Sequence, residues 1–223
     1  MDNTATESVK KAVPEERAVK TQEVETHIVV EATHAEKFKN DKKKIIKYLA
    51  TLTNAVNLRY NQMKNPPVKI VIVGVTLPKK GKEPYLKRLS SNAKVIKPMD
   101  TVMELKYMGK NLKKDYEKAD FVMLITMDIG SFEGDSTSGF TMFGTVCGEY
   151  KTGSFEDEPD TYDATYIFAH EMAHGLGVWC TTAMAGITPF PITLVPVVVD
   201  TATVTSWAST ASSRTTTFFL PVL

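Results

Sequence analysis

The chemistry of this chain is concentrated in five consecutive residues, His170-Glu171-Met172-Ala173-His174. On a helix, residues one turn apart project from the same side, so His170 and His174 face one direction. Two imidazoles at that spacing can bind one zinc ion, and Glu171 beside them can take a proton from water bound to the metal. Phe168 and Met172 fall on the opposite side, which gives the helix a core face and a metal face. An H-E-x-x-H match alone also arises by chance in proteins that bind no zinc. Here the sequence continues Gly175-Leu176-Gly177, extending the pattern to H-E-x-x-H-x-x-G. Gly177 is expected to adopt a left-handed conformation, end the helix and turn residue 180 back toward the metal.

The flanking sequence must position that helix, which is expected over Thr165 to Gly175. Thr26 to Ala32 is a short β-branched run and predicts a buried strand. From Ala35 to Met63 the apolar residues Phe38, Ile45, Ile46, Leu49, Leu52 and Val56 recur at helical spacing, with Lys42, Lys43, Lys44 and Lys47 between them. This pattern predicts one long amphipathic helix with a solvated lysine face. Asn65-Pro66-Pro67 ends it, and Val68 to Val75 predicts the clearest strand of the chain. Lys79 to Lys87 reads as a basic loop. Asp100 can cap a helix through Val102, Leu105 and Leu112. Asp120 to Met127 predicts a third strand, and Ser138 to Gly144 a candidate edge strand. Gly153 to Asp163, with its acidic run Glu156-Asp157-Glu158-Asp160, reads as a solvated loop whose spacing matches no known calcium loop. The order of strands and helices argues an α/β fold in layers. His27 and His34 flank the first strand without ligand spacing and read as structural.

Over 223 residues, Lys+Arg 27 against Asp+Glu 26 leave a formal charge of +1. That excludes a net basic field for nucleic acid or an anionic membrane. Two cysteines, Cys147 and Cys180, exclude a disulfide-dense scaffold. Residues 1–23 are polar and read as a flexible leader; Met1-Asp2-Asn3-Thr4 lacks the basic flank and apolar stretch of a signal peptide. Residues 179–223 carry only Asp200 and Arg214. Trp179 to Val199 is uncharged but holds Pro189, Pro191 and Pro196, which argues against a membrane span and for a loosely attached, Thr/Pro/Val-rich tail. Nothing in the sequence specifies an oligomeric state.

His170, Glu171, His174 and Gly177 match the metzincin motif H-E-x-x-H-x-x-G-x-x-H at every position but the last. The chain resembles the reprolysin (adamalysin) branch, in particular the secreted metalloproteases of arthropod saliva and venom. Softer support comes from Ile28-Val29-Val30-Glu31, from Asn54 to Tyr60, and from Phe143 to Cys147. The resemblance spans about residues 24–178. It implies a metzincin-like mixed α/β sheet with an antiparallel edge strand, long helices and an active-site helix. It implies a zinc metalloendopeptidase, secreted, with Zn2+ on His170 and His174, Glu171 as general base, and an extended protein or peptide substrate paired along Gly139 to Gly144.

The chain departs from that pattern after Val178. The third ligand should be histidine at position 180, which is Cys180; no histidine follows His174 and no glutamate follows Glu171. Cys180 can ligate zinc as a thiolate, pair with Cys147, or be unrelated to the site. Met184 stands too close to Cys180 to serve as the family's methionine turn, Asp200 sits in poor context as a ligand, and the final helix is missing. The expectation is an incomplete family member with its C-terminal part replaced. Two functions follow from it: a zinc endopeptidase, or a catalytically impaired binding protein on the same fold.

Overall fold

A computed structural model describes residues 20–64, 66–77, 81–111, 116–130 and 137–178 of the chain. Its elements in chain order are β1 (Gln22–Val30), α1 (Ala32–Lys37), α2 (Lys42–Tyr60), β2 (Val68–Thr76), α3 (Pro98–Asn111), β3 (Phe121–Thr126), β4 (Gly139–Thr141), β5 (Thr152–Glu156) and α4 (Thr165–Gly175). The five strands form one mixed sheet in the order β2-β1-β3-β5-β4. All neighbours run parallel except β4, which pairs antiparallel to β5 through Gly139↔Phe155, Phe140↔Ser154 and Thr141↔Gly153. β4 is therefore the antiparallel edge strand expected from the sequence.

Strand alternation sorts the core into two layers. Ile28 and Val30 of β1 and Phe121, Met123 and Ile125 of β3 face the side covered by α2 and α4. Val29, Val122 and Leu124 face the other side, where they meet Leu105 of α3 together with Tyr85 and Ile96. On the α2 side, Ile45, Tyr48, Leu49, Leu52, Val56 and Tyr60 form one buried stripe at helical spacing. Ile46 lies off that stripe and is 52% exposed, contrary to its expected place in the core.

Four other expectations are corrected. The helix over 35–63 is two helices, because Lys39 and Asn40 both adopt φ of 56° and break the chain between them. Asp41 then starts α2 by accepting from the backbone N–H of Lys43 and Lys44. Asp100 does not cap α3; the helix begins at Pro98, whose fixed φ suits the first turn, and Asp100 lies inside that turn. The stretch from Gly153 to Asp163 is a solvated loop only from Glu158 onward. Thr152–Glu156 is a central strand, with Ser154 and Phe155 fully buried. Its polar composition hides it from hydrophobic patterning, and its place between β3 and β4 is what orders it. Asp157, just beyond, is also buried: it accepts from Tyr48 Oη at 2.8 Å and pairs with His34 Nε2 at 2.7 Å. β1 also starts earlier than the run at Thr26, at Gln22, whose N–H donates to Pro67 O.

The Asn54–Tyr60 stretch ties α2 to its neighbours. The Asn57 amide donates to Ile70 O and accepts from Ile70 N–H, occupying both backbone groups at that point of the β2 edge. Tyr60 Oη donates to Ala169 O of α4 at 2.9 Å. No helix among the described residues is long and apolar enough to cross a membrane.

Candidate active site

α4 is seated by its apolar face. Phe168 and Met172 are fully buried, and the Phe168 ring stacks on Phe155 of β5 with centroids 4.7 Å apart and planes 4° from parallel. A buried stack of this kind adds about 0.5–1.5 kcal/mol beyond the area it covers. The helix ends where the sequence indicated. Gly177 takes φ of +84°. Its N–H donates to His174 O, and the Val178 N–H donates back to Ala173 O at 2.9 Å. This is a Schellman closure, and it requires the left-handed residue that glycine supplies at no steric cost. The segment after β4 adds two bonds to this end: Gly144 N–H also donates to His174 O, and Val146 N–H donates to Gly175 O. The end of the helix is thus fixed both by its own turn and by the edge-strand segment.

The opposite face carries the polar groups. His170 Nε2 and His174 Nε2 approach to 2.9 Å, with the rings 87° apart. His174 Nδ1 lies 3.2 Å from Val178 O. That carbonyl can only accept, so the proton sits on Nδ1 and the Nε2 lone pair faces His170. The Schellman turn therefore sets the imidazole tautomer as well as the helix end. Burial lowers the pKa of both histidines. The His170 value is pushed down to about 4, with His174 adding to the effect. For His174 the Val178 carbonyl partly opposes burial. Near neutral pH both rings are uncharged, the form in which histidine binds metal.

Glu171 points elsewhere. It is 3% exposed, and its carboxyl group lies against the Cα of Gly139 on β4: a Cβ at Gly139 would stand 2.5 Å from Oε1 and 2.6 Å from Cδ. Burial pushes its pKa up to about 8, against a lowering contribution from the Thr141 hydroxyl. The sequence pattern located Glu171 but gave no sign of Gly139, Thr141 or Gly153, which shape its surroundings. A glycine at the start of an edge strand signals a close approach only once the partner is known.

These residues suit zinc. A tetrahedral ion with Zn–N of about 2.0–2.1 Å sets two ligand nitrogens roughly 3.3 Å apart, a few tenths of an ångström beyond the present 2.9 Å. Two neutral imidazoles with converging Nε2 atoms are a donor set for zinc, and α4 holds both on one rigid element. Among the described residues no group of three His, Cys, Asp or Glu side chains converges as a metal cage. Cys180, Met184 and Asp200 lie outside the described residues, as does the rest of the tail and Leu112. Cys147 Sγ donates to Asp120 Oδ1 at 3.3 Å. His27 and His34 are engaged elsewhere, with Thr76 and Asp157. A hollow of about 1120 Å³ lies around Arg88, Glu83 and Asp128; none of His170, Glu171 or His174 lines it.

The profile of the Reprolysin (M12B) family zinc metalloproteases matches residues 22–186, which includes every element from β1 to α4. The chain belongs to this family. Among curated proteins it is similar to Venom metalloproteinase 3 of Eulophus pennicornis, 27% identical over 169 residues that make up 73% of this chain and 40% of that one. Venom metalloproteinase 1 of the same species is 28% identical over 54% of this chain and 28% of its own length. A Bombyx mori protein described as a disintegrin and metalloproteinase with thrombospondin motifs like is 27% identical over 61% of this chain and 22% of that one. The reprolysin chain thus spans well under half the length of these relatives. Among solved structures, one titled "Structure of a chaperone-substrate complex" shares the fold, with a TM-score of 0.52, 14% identity, and coverage of 73% of this chain and 27% of that one. The reprolysin match confirms the resemblance and the mixed α/β fold, and it extends eight residues beyond Val178.

Proposed function

We propose that this reprolysin chain is a zinc-dependent endopeptidase, with residues 24–178 forming its catalytic domain. The observation that carries the reading is the convergence of His170 and His174 Nε2 at 2.9 Å, with the His174 tautomer set by Val178 O, on the same turn as a buried carboxyl group. His170 and His174 would hold the ion, which supplies Lewis acidity at the scissile carbonyl. Glu171 accepts the proton of the attacking water. In the metal-free protein burial pushes the Glu171 pKa up to about 8, and a dication held by His170 and His174 would lower it, so that the carboxylate form needed of a base is present near neutral pH. Among the described residues β4 is the outermost strand of the sheet, and a substrate strand added beside it would be a protein or peptide in extended form. The venom relatives support secretion.

The test is cleavage of a quenched-fluorescent peptide library by zinc-loaded protein. Chelation should abolish cleavage, and Glu171→Gln should abolish it with zinc still bound, because Glu171 handles a proton and does not ligate. A Glu171→Gln protein as active as the parent would remove that role. One observation favours a second reading, a binding protein of low catalytic competence: position 180, where the motif has its third histidine, is Cys180. Correctly folded protein with zinc content near zero would favour the binder.

A further inference from the structure

The face of the sheet beneath α4 contains two glycines whose missing side chains are replaced by neighbours. A Cβ at Gly139 would collide with the Glu171 carboxyl group, and a Cβ at Gly153 would stand 2.3 Å from Thr141 Oγ1. Gly153 is the register partner of Thr141, and Gly139 lies two residues before Thr141 on β4. All three therefore share one face. Phe155, the partner of Gly139, stacks on Phe168 of α4, which shows that this face is the one α4 covers. In the space so formed, Thr141 Oγ1 and Glu171 Oε2 are both buried, and among the described residues neither has a hydrogen-bond partner of good geometry. Two buried polar atoms of complementary type would destabilise the fold if they stayed unpaired.

We propose that Thr141 is a positioning residue for Glu171: its hydroxyl donates to Glu171 Oε2, holding one carboxyl oxygen so that the other is free to accept a proton, in a slot that Gly139 and Gly153 keep open. The hydroxyl is a donor and the carboxylate an acceptor, and a small rotation of Thr141 about χ1 aligns them. Gly153 gives the threonine room to lie flat against β5. Gly139 lets the carboxyl group approach the edge strand more closely than any side chain would allow. The inference rests on the reading of Glu171 as the base.

The test combines two independent readouts on the full chain. The first is a double-mutant cycle in thermal unfolding of metal-free protein, with Thr141→Val, Glu171→Met and their combination. Valine keeps the shape and removes the donor; methionine removes the acceptor. Thr141→Val should lower the unfolding midpoint in the parent and leave it unchanged in the Glu171→Met background. The second readout is peptide cleavage: Thr141→Val should lower kcat about tenfold with KM and zinc content unchanged, and Thr141→Ser should restore kcat. Equal effects of Thr141→Val in both backgrounds would overturn the proposal, as would a loss confined to KM or zinc content, or a failure of serine to restore kcat. If the unfolding cycle shows coupling and no protein cleaves peptide, the contact stands and the endopeptidase reading fails.

Discussion

Gly139→Ala tests the seating of Glu171 by sterics alone. Gly139 does not have positive φ, so its backbone accepts alanine. The added methyl would lie 2.5–2.6 Å from Oε1, Cδ and Cγ of Glu171. Ordinary carbon contacts begin at about 3.5 Å, so the carboxyl group must move by about 1 Å. Glu171 cannot swing into open space at 3% exposure, and the strain of inserting a methyl group into such packing is about 1–3 kcal/mol. The alanine recovers about 0.4–1 kcal/mol by restricting the unfolded chain, leaving a net loss of roughly 0.5–2 kcal/mol. For a domain of this size that lowers the unfolding midpoint by about 2–6 °C. With Glu171 as the proposed base, the effect on turnover should be larger, because displacing such a group by about 1 Å costs about 100-fold. The three atoms nearest to the added methyl all belong to Glu171, so zinc affinity should hold. Calorimetry, zinc titration and peptide cleavage on parent and Gly139→Ala proteins give the three numbers. Pairing Gly139→Ala with the shorter Glu171→Asp should give a smaller stability loss than the sum of the single changes, because one methylene is withdrawn from the collision. Unaltered cleavage and an unaltered midpoint in Gly139→Ala would refute the packing argument.

Three further outcomes are expected. In metal-free protein, Glu171 holds its proton to about pH 8 when folded and loses it near 4.5 when unfolded, so the folded state binds more protons in that window and stability falls as pH rises. His170, lowered from 6.5 to about 4, has the opposite sign and contributes stability that is lost as pH falls below 6.5. The two slopes oppose each other between pH 4.5 and 6.5, and from 6.5 to 8 the Glu171 slope remains. Urea unfolding should therefore show a loss of about 2 kcal/mol over that last interval, absent in Glu171→Gln; a flat profile in the parent would contradict the burial argument. Gly177→Ala forces an L-residue into φ of +84° and disturbs the carbonyl that orients His174, so stability should drop by about 1 kcal/mol and zinc affinity by about tenfold, measured by calorimetry and metal titration. Asp157→Ala leaves buried His34 and Tyr48 without their shared acceptor and should cost about 3–5 kcal/mol in urea unfolding with the zinc affinity of the folded protein unaltered; a change in zinc affinity would show that the two regions are coupled.

The features that depend on near neighbours along the chain were legible in the order of residues alone. Helical spacing places His170 and His174 on one side of α4 and Phe168 on the other, and Gly177 marks the helix end, because each is a matter of i, i+3 and i+4 geometry or of one residue's allowed φ. β2, β3 and the edge strand β4 were legible from apolar runs and alternation. Where local signals competed, the sequence misled. The apolar period from Phe38 onward predicts one helix, and the left-handed pair Lys39 and Asn40 makes two. The polar stretch Thr152–Glu156 carries no hydrophobic signature and is a strand because β3 and β4 pair with it from both sides. The acidic run beyond it reads as solvated, yet Asp157 is buried because His34 and Tyr48, over a hundred residues away in sequence, bring its partners. The surroundings of Glu171 follow the same rule. Its identity is written in the motif, while Gly139, Thr141 and Gly153 become meaningful only when β4 and β5 pair and α4 is laid across them, since steric exclusion and buried hydrogen bonding are properties of surfaces that meet in three dimensions.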